Sequence, residues 1–294
     1  MGRLRFSLII LSAALVLHAC KGASGDAQAG ADSTDVTKDW TLSVQLWTFH
    51  KFDFTTAIEK ADSAGLKTVE AFPGQKLLGY ADSAFGAGMS AETRAKLKEY
   101  LAGKGISIVA YGVVVPQTAD EWVANFEFAK DMGIRYMTTE PLKEHLDLVD
   151  SLSDAYGIGI AIHDHPRPSP YWHPDSVLAA AEGRPNIGSC ADIGHWVRNG
   201  LKAADCIRKL EGKVVGLHLK DVKEFGKTDA EDMMPGSGAV DIPEALAELK
   251  RQGFKGNFSI EHEANWYNNV PDVREIVSYF NEQVKALNAA KTKE

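Results

Sequence analysis

The stretch 187–222 reads IGSCADIGHWVRNGLKAADCIRKLEGKVVGLHLKDV, and its internal pattern decides the fold. A run of small and β-branched residues, Ile187 to Gly194, is followed by a helical segment that contains Cys206. That segment runs into Gly212, and a second apolar run, VVGLHLKDV (214–222), begins at once. Glycine just past a helix end suits the left-handed conformation that closes helices. The same punctuation recurs at Gly65, Gly105, Gly133, Gly157, Gly183 and Gly253, each with an apolar run behind it. Outward from 187–222 the predicted strands are SVQLWTF (43–49), TVEAF (68–72), SIVAYGV (107–113), YMTTE (136–140), GIAIHDH (159–165) and NFSIEHE (257–263). Helices fall between them, for example Ala91 to Leu101, Ala119 to Asp131 and Pro243 to Arg251, and a last one spans Asp272 to Leu287. Eight alternating strands and helices in about 250 residues predict a single-domain α/β fold, the (β/α)8 TIM barrel. A doubly wound open sheet would carry a glycine-rich phosphate turn after its first strand, and HKFDFTT (50–56) has none.

The barrel pattern starts at residue 39 and continues to 294 without a second linker. Residues 21–38, KGASGDAQAGADSTDVTK, hold almost no large apolar side chain and read as a flexible tether. Before them, Arg3 and Arg5 precede the apolar run Phe6 to Leu17, too short for a mature membrane span. Leu17-His18-Ala19-Cys20 resembles the lipobox of bacterial lipoproteins, with His18 atypical in it. The resemblance implies a signal peptide over 1–20 and lipid attachment at Cys20. The domain would then reside in the bacterial cell envelope, on the periplasmic side or the cell surface, touching the membrane only through its lipid. Cys190 and Cys206 are expected as free, buried thiols, because two cysteines make no disulfide framework.

Of the 294 residues 24% are charged, and the formal net charge is −8; loss of the leader with Arg3 and Arg5 makes it two units more acidic. An acidic chain without a basic stripe is a poor binder of phosphate backbones, which excludes nucleic acid as the expected partner. The oligomeric state stays open.

In a TIM barrel, chemistry collects at the C-terminal strand ends. Here those ends carry Glu140, His163-Asp164-His165, Asp192-Ile193-Gly194-His195, His218-Leu219-Lys220-Asp221 and Glu261-His262-Glu263. A single such residue is ordinarily a loop cap or a structural hydrogen-bonder. Ends of neighbouring strands, however, surround one mouth, and carboxylates crowded there would repel without a cation. A divalent metal resolves the repulsion, and mixed imidazole and carboxylate ligands suit Mn, Co, Fe or Zn. Alternation puts His163 with His165, His218 with Lys220, and Glu261 with Glu263, leaving Asp164 and His262 on the other face.

DIGHWVRNG (192–200), GLHLKDV (216–222), the GSG loop (236–238) and GNFSIEHEANW (256–266) resemble the sugar phosphate isomerase/epimerase family, the xylose isomerase-like TIM barrels. The resemblance runs from about Trp40 to Ala286. It implies a divalent metal held by Glu, Asp, His and Glu, of which Asp192, His218 and Glu261 carry over. Where many members read E-N-H, this chain has His163-Asp164-His165, so the first ligand is either His163 or Glu140. Glu140 is preferred because it restores the charge balance. His195 matches a histidine that binds substrate. The implied reaction is proton transfer beside the carbonyl of a small carbohydrate, through a metal-stabilised enediolate. Glu261 keeps its role in that transfer, and Lys220 and His165 are its candidate partners. The same arrangement serves elimination of water or an alcohol from a keto-sugar, a dehydratase or lyase. A sugar-binding lipoprotein without catalysis is the reading from a different class. Trp47, Tyr111, Trp196 and Trp266 are pocket or core aromatics. Arg198 is either a substrate contact or a solvated loop residue, and PGSGAVD (235–241) offers amides to a phosphate, a weak signal.

Overall fold

A computed structural model describes residues 35–289. The leader, Cys20 and residues 21–34 of the expected tether lie outside the described residues. The tether's last residues are folded: Val36–Asp39 forms a single 3-10 turn capped by Asp35. Asn288 near the C-terminal helix end donates to Asp35 and Thr37. The last four residues of the stretch read as flexible, Asp35 to Lys38, are thus part of the described fold.

Eight parallel strands close a barrel in the order β1-β10-β7-β6-β5-β4-β3-β2. They are β1 (Thr41–Gln45), β2 (Thr68–Ala71), β3 (Ser107–Val114), β4 (Tyr136–Thr139), β5 (Gly159–His163), β6 (Ile187–Asp192), β7 (Val214–Leu219) and β10 (Asn257–Ile260). Between β7 and β10 a small antiparallel pair, β8 (Asp221–Val222) and β9 (Asp232–Met233), stands outside the barrel. The outer helices are α1 (Phe54–Ser63), α2 (Ala91–Lys104), α3 (Ala119–Met132), α4 (Leu146–Tyr156), α5 (Pro174–Ala181), α6 (Ile193–Arg198), α7 (Ala203–Lys209), α8 (Ile242–Arg251) and α9 (Val270–Ala289). All seven glycines read as helix ends take positive φ, between 63° and 87°, which removes the Cβ clash an L side chain would meet there.

Several expected strands end early, and two of these shortenings shape the mouth. SVQLWTF stops at Gln45, because the Gln45 side chain accepts from Trp47 N at 3.1 Å and turns Leu46–Phe49 into a 3-10 helix. IGSCADIG stops at Asp192, whose carboxylate accepts from His195 N at 2.9 Å and starts α6. Aspartate at that position caps a helix well. Register then sets side chains level across the barrel: Asp192 pairs with His218, His218 with Ser259, and Ser259 with Ser43. Cys190 and Cys206 are free and buried, as expected. Among the described residues no helix is long and apolar enough to cross a membrane.

Candidate active site

Strands β5, β6 and β7 and the residue just past β10 each bring one ligand-type atom to a single point. His163 Nε2, Asp192 Oδ2, His218 Nδ1 and Glu261 Oε2 are all buried and all without a hydrogen-bond partner. One ligand atom from each of the four residues lies within 4.8 Å of the others. His218 Nδ1 stands 2.9 Å from Glu261 Oε2, and Asp192 Oδ2 is 3.7 Å from both His218 Nδ1 and His163 Nε2. Bare buried polar atoms are rare and costly. Four of them facing one another at these separations match the edges of a polyhedron whose donors sit about 2.1 Å from a shared divalent cation. Two imidazoles and two carboxylates also suit such an ion chemically. The residues therefore fit the metal that the sequence implies.

A fixed positive charge lies beside them. Lys220 Nζ is 2.6 Å from Glu263 Oε1, 3.3 Å from Glu261 Oε2 and 3.6 Å from Asp192 Oδ2. Burial works against its charge, but Glu261, Asp192, Asp232 and Glu263 hold its pKa above the ordinary lysine value. It is an ammonium that holds carboxylates in place. Its stem passes through room left by Gly194, where a Cβ would meet Lys220 Cγ at 2.6 Å.

His195 is locked in one tautomer. Arg198 Nη1 lies 3.1 Å from His195 Nδ1, and a guanidinium can only donate. Nδ1 must accept, so Nε2 carries the hydrogen. Burial holds the His195 pKa well below its ordinary value, with Lys220 and His163 adding to it against Asp192. The ring is a neutral donor. Arg198 is itself held by Asp232 at 2.6 Å and by the Ala230 carbonyl.

A cavity of about 380 Å3 opens on this cluster; Trp47, Phe72, His165, His195, Glu261 and Glu263 are among its walls. His165 Nδ1 meets Glu140 Oε1 at 2.5 Å, while His163 Nδ1 is 3.5 Å from the same oxygen. Burial would raise the Glu140 pKa, yet its hydrogen bonds to His163 and His165 hold it well below the usual carboxylate range. Ser169 Oγ donates to its second oxygen at 2.8 Å.

The family description for the xylose isomerase-like TIM barrel matches residues 58–283. The chain belongs to that family. Inosose isomerase of Halalkalibacterium halodurans is 26% identical over 162 residues, 48% of this chain and 57% of the relative. The chain thus spans little more than half the length of this curated relative. A solved structure of a protein from Parabacteroides distasonis is 32% identical, with a TM-score of 0.68, covering 83% of this chain and 99% of that one. A D-tagatose 3-epimerase-like protein shares the fold, with a TM-score of 0.68 at 18% identity over 85% of this chain and 99% of that one.

In this xylose isomerase-like barrel the sequence-predicted residues fall into distinct places. His163, Asp192, His218 and Glu261 come together, with Lys220 and His195 beside them. Glu140, preferred as the first ligand, stands outside the group of four and is engaged by His165, His163 and Ser169. Between the two open alternatives the geometry brings His163 into the cluster. Asp164 and His262 face elsewhere: Asp164 accepts from Asp192 N at 2.8 Å, and His262 Nε2 lies 3.3 Å from Asp272. Amides of 235–241 are not open to a phosphate. Gly236, Gly238 and Val240 N all donate to the carboxylate of Asp221. Trp47 reaches the cavity and stacks on His50, which meets the edge of Trp266. Tyr111 and Trp196 are core.

Sequence reasoning passed over Glu70. It lies within β2, fully buried, and meets Thr138, Ser259 and His218. Its inward alternation in TVEAF was the available signal, but its partners are 68, 189 and 148 residues away.

Proposed function

We propose that the protein is a divalent-metal-dependent isomerase or epimerase that moves a proton at a carbon beside the carbonyl of a small carbohydrate. The observation that carries this is the convergence of four unpartnered buried donor atoms, one of them on Glu261, which also lines the cavity. His163, Asp192, His218 and Glu261 would hold the ion, which when bound would polarise the substrate carbonyl and stabilise negative charge developing on its oxygen. The protein's own groups do the rest. Glu261 borders both the cluster and the cavity and is the carboxylate placed to take or return a proton. His165 is the second proton carrier. Glu140 accepts its Nδ1–H, leaving Nε2 as the basic nitrogen, the base-and-orienter arrangement of general catalysis. His195 donates Nε2–H to a substrate oxygen, and Lys220 fixes Glu261 and Glu263. The similarity to inosose isomerase and to a 3-epimerase-like structure supports this class of chemistry.

A carboxylate facing an imidazole is an unequal pair, and that inequality favours a second reading, elimination of water or an alcohol from a keto-sugar. One experiment separates them. Protein loaded with Mn2+ or Co2+ is incubated with ketoses and inososes in D2O. Deuterium at the carbon beside the carbonyl, with an unchanged formula, supports isomerisation; loss of water or aglycone supports the lyase. Absence of both, together with no cation bound, leaves the sugar-binding reading. The proposal extends to placement: Leu17-His18-Ala19-Cys20 would direct lipid attachment in the bacterial envelope. Cys20→Ser should then release the protein from the membrane fraction.

A further inference from the structure

We infer that Glu70 is the positioning residue that aims His218 at the cation and delivers negative charge to it through the imidazole ring. The inference rests on the metal-site reading above and assigns a role to a residue outside the ligand group.

Four strands meet at this one carboxylate. Glu70 projects from β2; its Oε1 accepts from Thr138 Oγ1 of β4 at 2.7 Å. Its Oε2 accepts from Ser259 Oγ of β10 at 2.5 Å and faces His218 Nε2 of β7 at 3.1 Å. The Ser259 hydroxyl is oriented in turn, since Asn257 Nδ2 donates to it at 2.8 Å and leaves its hydrogen for Glu70. A carboxylate can only accept, so His218 Nε2 carries a hydrogen. In the neutral ring the opposite nitrogen, Nδ1, offers its lone pair to the point where His163, Asp192 and Glu261 converge. Ring orientation and tautomer are both set from behind, as they are for most metal-binding histidines.

The charge needs its own explanation. Glu70 is wholly buried. A carboxylate there is strongly unfavourable unless something compensates it. Three donors, Thr138 Oγ1, Ser259 Oγ and His218 Nε2, converge on its two oxygens, an arrangement that suits the carboxylate form. A cation on the far side of the ring would compensate that charge.

Co2+ serves as the probe, because its visible absorption reports the ligand field as well as the affinity. Glu70→Gln keeps the shape, can still accept from Ser259 and His218 through its one oxygen, and removes the charge. The expected result is a Co2+ Kd weakened roughly 10–100-fold, a shifted visible band, and a metal-free melting temperature at or above that of the parent. A parental Kd and spectrum in Glu70→Gln overturns the inference while leaving the metal site standing. A flat Co2+ titration of the parent removes the cation and the role of Glu70 together. Should Glu70→Gln not fold, Ser259→Ala with Thr138→Val loosens the carboxylate without deleting it. A several-fold weaker Kd in that pair supports the inference, and a parental Kd overturns it.

Discussion

Asp192 and Asp221 are both buried aspartates just where adjacent strands leave the barrel, and they do opposite work. Asp221 opens β8, just past the end of β7, and each of its oxygens is engaged. Val222 and Val240 amides donate to Oδ1 at 2.8 and 3.0 Å, and Gly236 and Gly238 amides donate to Oδ2, both at 2.9 Å. Asp192 engages Oδ1 on His195 N and leaves Oδ2 bare among three other bare atoms. A buried carboxylate with all its lone pairs met holds the fold together. One that keeps an unmet oxygen beside other unmet donors is open to a further partner, the role proposed above for a divalent cation.

Asp192→Asn tests the unmet side and should show the largest effect. Asparagine caps a helix as well as aspartate does, so α6 should survive. The cation should bind more weakly than after loss of an outer partner, by more than roughly 100-fold. Catalytic turnover should fall by about a thousandfold, the equivalent of several kcal/mol of lost charge stabilisation. Calorimetric metal titration and kcat/KM measure the two losses. A variant with parental values for both would put Asp192 in the same class as Asp221.

Asp221→Asn tests the met side and should reverse the pattern. An amide cannot accept at its nitrogen, so amide hydrogens at Gly236 and Gly238 or at Val222 and Val240 lose their acceptor in the buried loop. Unmet donors of this kind cost about 1–3 kcal/mol each, which places the expected destabilisation near 3 kcal/mol or more. Urea unfolding checks it, while Co2+ affinity in the folded protein should stay within about twofold, as expected for sites without shared partners.

The two aspartates also mark how far the sequence could be read. Helix-ending glycines were legible because only positive φ lets the chain turn there, and strand-end positions follow from barrel topology. That placed His163, Asp192, His218 and Glu261 at one mouth. What no spacing reveals is which lone pairs the finished fold leaves open. Gly236 and Gly238 read as a phosphate cradle, and the same amides are consumed by Asp221 from 15 and 17 residues away. Glu140 looked like the charge-balancing ligand until folding set His165 against it. Glu70 was hidden because its meaning lies wholly in partners from three other strands. α6 was missed as well, because IGHWVR is short and apolar and its start depends on Asp192 ceasing to be a strand residue.

A third measurement sharpens the contrast by ligand linkage. At a Co2+ concentration about 100 times Kd, binding should add about 2.7 kcal/mol to the parent's stability, or roughly 5–10 °C in melting temperature. Asp221→Asn should gain the same increment from its lower baseline. Asp192→Asn should gain almost none. Equal increments in all three would separate the cation from the four-residue cluster.

The smallest effect is expected at Asp53, where the oxygens are again met but the site is only partly buried. Its carboxylate caps α1, accepting from Thr55 Oγ1 and Thr56 Oγ1, both at 2.6 Å, and from Thr56 N at 3.3 Å. Burial pushes its pKa up, and the Thr55 and Thr56 hydrogen bonds outweigh that and leave it below the ordinary aspartate value. A depressed folded pKa means that the unfolded chain takes up the proton first as the solution is acidified. The contribution of Asp53 is therefore whole above the unfolded value of about 3.9 and is lost as pH falls through the folded value. Solvent screening keeps it under about 1 kcal/mol. Urea midpoints measured from neutral pH down to about 3 should fall less steeply for Asp53→Asn, which retains the cap and cannot titrate. Parallel curves for variant and parent would show that meeting a carboxylate's lone pairs matters for stability only where water is excluded, as it is at Asp221.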